Sequence, residues 1–293
     1  MEQVISVSPV VLSAPERGLD LQVRISAPIK GNQLPVILFA HGYGNSLDGY
    51  APLVNYWAAR GFVVIQPSFL DSKRIGLSPD DVRTPDIWKI RVADMKQVLD
   101  HIDDIISVVP GLSERVDTTR IAAVGHSFGA QTTGMLLGMR VIGEDIDMSD
   151  ARIQVGILLC AGGNGGKDLS EFAATHYSFM NPDFSGMKKP TLVVAGDKDI
   201  SPLTVRGWDW FTDPYTLSPG PKSLAVLYGG EHLLGGISGY LVTETSDENP
   251  ARVAAVQQLT WAYLRSAFYP QDSAWQEAAR ELTQGKIENK GDL

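Results

Sequence analysis

Short apolar runs alternate along the chain with segments whose apolar residues recur every three or four positions. PVILFAHG at 35–42 reads as a buried strand ending in a glycine turn, and LVNYWAARG at 53–61 as a short helix stopped by glycine. FVVIQPSF at 62–69 is the next strand. From 86 to 109, Ile87, Ile90, Met95, Val98, Leu99, Ile102, Ile105, Ile106 and Val109 fall at helical spacing. Asp86 can cap that helix, and Pro110-Gly111 ends it. Apolar runs return at 121–125, 155–160, 191–196 and 224–229. Asn249-Pro250 then caps and opens a helix reaching Phe268, and 272–282 predicts one more. The first 30 residues alternate weakly and predict a strand pair turning near 15–18.

Strands apolar on both faces belong to a parallel sheet covered by helices on each side. The expected fold is α/β: a doubly wound, mostly parallel sheet forming one domain over 1–293, with its core at about 35–268. The N-terminal strand pair at 1–30 precedes it, and a C-terminal helix at 272–285 with a polar tail follows. No repeat or Pro/Gly/Ser-rich linker divides the chain. About 30 residues separate Cys160 from the strand at Thr191, without two long amphipathic helices, so no large lid domain is expected.

The serine within RIAAVGHSFGAQTTGM, at 120–135, changes the picture from architecture to chemistry. Gly-x-Ser-x-Gly between a strand and a helix forces a tight turn that holds the serine above the carboxyl end of the sheet. Gly125 and Gly129 leave room where side chains would clash, and Gly134 and Gly138 are expected to let the helix lie close to the sheet. A chance pentapeptide match in such a chain has odds of about one in five, so its strand–helix setting carries the inference. A serine hydroxyl needs a base, a group to orient that base, and donors for the oxyanion.

Of five histidines, only His232, in LAVLYGGEHLLGG, follows a late strand in a glycine-rich loop able to reach Ser127. His101 reads as a surface residue of the long helix, and His126 as structural beside the nucleophile. His41 bonds backbone at the end of its strand, while His176 is a pocket candidate. The orienting acid belongs after the preceding strand, in TLVVAGDKDISP. Asp199 lies further into the turn and is the first choice; Asp197 is the second. The backbone NH groups of Phe128 and of Tyr43, in HGYGNS, are the expected oxyanion donors.

GHSFGA and HGYGNS resemble the α/β-hydrolase superfamily, and within it the lidless bacterial esterases similar to dienelactone hydrolases, chlorophyllases and cutinase-like polyesterases. The resemblance covers the element order from Pro35 to Phe268. It implies a Ser-His-Asp triad and an acyl-enzyme mechanism that uses no metal or organic cofactor. Ser127 stands where dienelactone hydrolases carry cysteine and haloalkane dehalogenases carry aspartate.

The reading that follows is a serine hydrolase acting on short-chain or aromatic esters, small or polymeric. An amidase, lactonase or thioesterase on the same triad, and a non-catalytic receptor on the same fold, are the alternatives. Trp208, Trp210, Phe211 and Tyr215, in RGWDWFTDPY, are candidates for the pocket wall, and the charged loop at 70–85 for its rim. AGGNGGKD at 161–168 lacks the glycine and hydroxyl residue that a phosphate loop needs at its ends, and no zinc-ligand spacing occurs. A net charge of −9 speaks against a nucleic-acid partner. No run approaches the length of a membrane span, so integral membrane contact is not expected. The lone Cys160 allows no intrachain disulfide and suits a reducing cytoplasm. Oligomeric state is left open.

Overall fold

A computed structural model describes residues 2–240 and 245–293. β1 (Val4–Leu12) and β2 (Leu21–Pro28) form the expected antiparallel pair. Strands and helices then alternate: β3 (Leu34–Ala40), α1 (Ala51–Ala58), β4 (Val63–Pro67), α2 (Ile87–Asp100), α3 (Ile102–Ser107), β5 (Val116–His126) and α4 (Phe128–Leu136). Next come β6 (Arg140–Val141), β7 (Ile153–Leu159), α5 (Glu171–His176), β8 (Pro182–Asp183), β9 (Thr191–Gly196), α6 (Asp213–Thr216) and β10 (Lys222–Leu227). The described chain ends with α7 (Pro250–Phe268), α8 (Ala274–Glu281) and β11 (Gly285–Lys290).

Among the described residues nine strands form one sheet in the order β1-β2-β4-β3-β5-β7-β9-β10-β11. The strands from β4 through β10 run parallel, and β2 and β11 pair antiparallel to their edges. β6 and β8 pair separately. Every residue of β3, β4, β9 and β10 is buried, which is why their sequences show continuous apolar runs rather than alternation. Leu38 and Ala40 face α2 and α4 through Val92, Met95 and Leu136, whereas Ile37 and Phe39 face α1 and α7 through Trp57, Leu259 and Tyr263. Each fully buried side chain of this size contributes roughly 1.5–3 kcal/mol.

β3 and β5 lie side by side, with Ala40 opposite Gly125, and their carboxyl ends open into loops that leave the sheet together. This is where successive connections turn toward opposite edges, the position at which open parallel sheets form a ligand crevice.

Three expectations change. The helix expected over 86–109 breaks at His101 (φ −110°, ψ 22°) into α2 and α3. Apolar spacing does not register the break because Val98, Ile105 and Ile106 enter the same core on both sides of it. The helix expected at 272–285 covers only Ala274–Glu281, and the polar tail is the edge strand β11, where Ile287 pairs with Ala225. GKIENK carries a single apolar residue among charges, a composition that protects a sheet edge and hides its strand character. No helix among the described residues is long and apolar enough to cross a membrane.

Candidate active site

Ser127 sits between β5 and α4 at φ 56° and ψ −122°, a backbone conformation that costs about 1–3 kcal/mol outside glycine. Its NH donates to the Leu159 carbonyl (2.9 Å), and its carbonyl accepts from the Ala130 and Gln131 NH groups, so the hydroxyl alone projects from the turn. The flanking glycines have no substitute. A Cβ on Gly125 would lie 2.1 Å from the Gly129 carbonyl oxygen, and one on Gly129 would lie 2.0 Å from that of Ala40. Gly134, on α4, and Gly138, just past its end, act otherwise than expected. Gly134 faces the Met139 sulfur, and Gly138 (φ 108°) ends the helix against the Gly186 carbonyl; close approach to the sheet is made at Gly129.

The loops after β9 and β10 complete a chain of hydrogen bonds. His232 Nε2 lies 2.8 Å from Ser127 Oγ, and His232 Nδ1 lies 2.9 and 3.2 Å from the two Asp199 carboxylate oxygens. An ionised carboxylate can only accept, so Nδ1 carries the proton and bare Nε2 accepts from the serine hydroxyl. Asp199 is wholly buried, as a carboxylate can be when it is paired, here with His232. Asp197 points elsewhere and accepts from the Gly229 NH at 2.6 Å. The Cys160 thiol lies beside Asp199; burial first, then the Asp199 charge, pushes it well up, so it remains a thiol.

The His232 loop is fixed from both sides. The Glu231 NH donates to Asp247, which also pairs with Arg252 of α7 at 2.7 Å. His126 Nε2–H donates to the His232 carbonyl at 2.7 Å, and Tyr50 donates its hydroxyl proton to His126 Nδ1 at 2.8 Å. Burial lowers His126 to about 3, which keeps it neutral, as this bonding requires. The same Tyr50 oxygen accepts from the Gly42 NH at 3.0 Å and so ties the loop after β3 to the loop after β10. His41 bonds the Gly42 carbonyl through Nδ1 (2.7 Å), and His101 lies on the surface beside Asp104. Neither the Tyr43 NH nor the Phe128 NH has an acceptor among the described residues.

Above Ser127 opens a cavity of about 950 Å³. His176, Trp210 and Phe211 line it, as do Tyr43 and Phe128. Trp208 and Tyr215 do not: they pack on Val193, Leu224 and Val226, on the opposite face of the sheet from Trp210 and Phe211. The turn of 3₁₀ helix at Trp208–Thr212 sends residues two apart to different sides, which residue type alone could not reveal. Sequence reasoning missed Tyr177, Phe179 and Met180, which form much of the wall. They lie in the stretch between β7 and β9, which carries no helix long enough for a lid, and the aromatic spelling HYSF at 176–179 is the signal the sequence offers for them. The loop at 70–85 supplies Asp80, Asp81 and Val82 to the rim, and no Lys or Arg lines the cavity among the described residues.

One group of possible metal ligands occurs among the described residues: His126, Cys160 and His232, with donor atoms within 4.8 Å of one another. All four ring nitrogens already hold hydrogen-bond partners, so a cation would have to displace the arrangement just described.

A mostly parallel sheet with its serine on a strained turn after a central strand, and a histidine and an acid after later strands, defines an α/β-hydrolase. A family model described as Chlorophyllase matches residues 4–168, more than half of the chain, and the protein belongs to that family of ester-acting hydrolases. The match includes the loop after β3 and the Ser127 turn and stops before Asp199 and His232. No curated protein matches the chain.

Proposed function

We propose that the protein is a serine esterase working through an acyl-enzyme, with Ser127, His232 and Asp199 as its triad. The observation that carries this reading is the unbroken relay from Ser127 Oγ to His232 at 2.8 Å and on to Asp199 at 2.9 Å. As Ser127 attacks the ester carbonyl carbon, its proton passes to His232 Nε2, and Asp199 stabilises the imidazolium that forms. The Tyr43 and Phe128 NH groups receive the oxyanion, aided by the start of α4 behind Phe128. Imidazolium protonates the departing alkoxide; water, deprotonated by the same imidazole, then releases the acid and restores the serine.

The substrate we infer is an uncharged ester with apolar or aromatic parts. Tyr177, Phe179, Trp210 and Phe211 line the cavity with aromatic rings, while Asp80 at the rim opposes an anionic substrate. The cavity is large enough for more than a short acyl chain. Amides, lactones and thioesters share the same chemistry, and the triad does not choose among them. The whole chain acts as one such unit in a reducing cytoplasm, without nucleic acid as partner.

Rapid mixing with excess p-nitrophenyl butyrate tests this reading. It predicts a burst of nitrophenolate stoichiometric with enzyme and a butyryl mass increment on the peptide that contains Ser127. Equal turnover by wild type and Ser127→Ala would end it.

A further inference from the structure

Arg91, on α2, is wholly buried beside the site and has no part in the proton relay. Each of its guanidinium nitrogens is engaged. Nη1 lies 2.8 Å from both Asp71 oxygens, Nε donates to Thr132 Oγ1 at 3.1 Å, and Nη2 donates to the His41 carbonyl. The guanidinium plane rests between two rings, 4.0 Å from the centre of Phe69 and 4.5 Å from that of Phe128.

These partners converge on the two oxyanion donors. His41 opens the four-residue stretch His41-Gly42-Tyr43-Gly44, and Arg91 holds its carbonyl. Gly44 closes it, and its NH donates to Asp71 Oδ2 at 3.2 Å. One ion pair therefore grips both ends of the segment whose middle presents the Tyr43 NH. On the other side, Thr132 takes the Arg91 bond and donates its own hydroxyl to the Phe128 carbonyl at 3.1 Å. The ring contact fixes Phe128 a second time.

Burying such a pair costs several kcal/mol of desolvation, and apolar residues of similar volume commonly serve stability as well or better. Asp71 also cancels the guanidinium charge locally, so Arg91 offers little net field to an oxyanion. What remains is geometry: a rigid fork aimed at one carbonyl, one hydroxyl and one carboxylate.

We propose that Arg91, acting with Asp71, is the positioning residue of the oxyanion hole, setting the Tyr43 and Phe128 NH groups to converge on one oxygen. The proposal rests on Ser127 being the nucleophile.

A matched ester and thionoester, identical but for the C=O or C=S group, give the test. Sulfur is larger and accepts hydrogen bonds weakly, so the oxo/thiono ratio of kcat/KM reports hole geometry and is independent of how much enzyme is active. Arg91→Lys keeps a cation for Asp71 but loses the fork. It is expected to lower kcat on the oxo ester by about ten- to a hundredfold, with KM within about twofold, and to collapse the ratio by at least about tenfold. Asp71→Asn should shift the ratio in the same direction, whereas Tyr215→Phe, on the far face of the sheet, should leave it unchanged. An unchanged ratio in Arg91→Lys, or equal losses on both substrates, overturns the proposal. So does failure of both Arg91→Lys and Asp71→Asn to fold, since the pair is then a brace of the core. Failure of the serine reading shows differently, as wild-type turnover that Ser127→Ala retains.

Discussion

The two halves of the site are held by different physics. The serine turn is fixed by exclusion: main-chain atoms come so close at Gly125 and Gly129 that no side chain fits. The loop after β3 is fixed by attachment, through Arg91, Asp71 and Tyr50 bonding to its carbonyl and NH groups. Exclusion is written in a contiguous pentapeptide. Attachment draws on residues far apart in sequence, with Arg91 50 positions from His41. A motif can therefore expose one half of a candidate site and leave the other half silent.

The sharpest way to separate relay from support is at the acid. Asp199→Asn leaves His232 without its orienting carboxylate and is expected to lower kcat about 10⁴-fold, with little change in Tm. Asp197→Asn alters only a bond to the Gly229 NH and should stay within about threefold. Steady-state kinetics on the same ester compare them; equal losses would put Asp197 in the relay.

Breaking the excluded half should act on the fold. Gly129→Ala places a methyl 2.0 Å from a carbonyl oxygen of β3, main chain that cannot swing aside. A loss of about 3 kcal/mol or more is expected, seen as a lower denaturant midpoint together with lost turnover. Arg91→Lys, by contrast, should strike the oxo/thiono ratio, so the two variants separate the two kinds of support.

Acid should weaken the attached half. Burial holds His41 at about 4 and His126 at about 3, against 6.5 for a free imidazole. Below pH 6.5 the unfolded chain therefore gains two protons that the folded chain refuses, and stability falls as pH falls. Asp94 works in the opposite direction: burial pushes it up to about 7 despite Arg17 at 3.1 Å, so the folded chain keeps a proton that the unfolded chain releases above 3.8. From these three groups, between about pH 4 and 6.5 the unfolded chain holds one net extra proton, equivalent to about 1.4 kcal/mol per pH unit. Thermal melting from pH 6.5 to 5 should show Tm falling, and more steeply in Asp94→Asn. A Tm that rises on acidification contradicts the assignment of both histidines as neutral.

Much of the candidate site is legible in the chain because its residues follow strands directly. Ser127, Asp199 and His232 lie one, three and five residues beyond β5, β9 and β10. Apolar runs locate strands well, and strand ends locate the crevice. Arg91 could not be found this way: on an amphipathic helix it reads as one more polar position, and nothing in its spacing points to Asp71 or His41. Trp208, on the 3₁₀ turn, and Tyr215, on α6, point away from the cavity, and aromatic composition does not say which side of such short helices meets it. β11 escaped because an edge strand needs few apolar residues.

The central claim is that Ser127 is an activated nucleophile, and covalent labelling tests it most directly. Wild type and Ser127→Ala would be incubated with a fluorophosphonate, weighed intact and mapped by peptide. One adduct per wild-type chain, on Ser127 and absent from the variant, is the predicted result. A folded wild-type protein that takes up no label, or takes it up at another residue, would contradict the account.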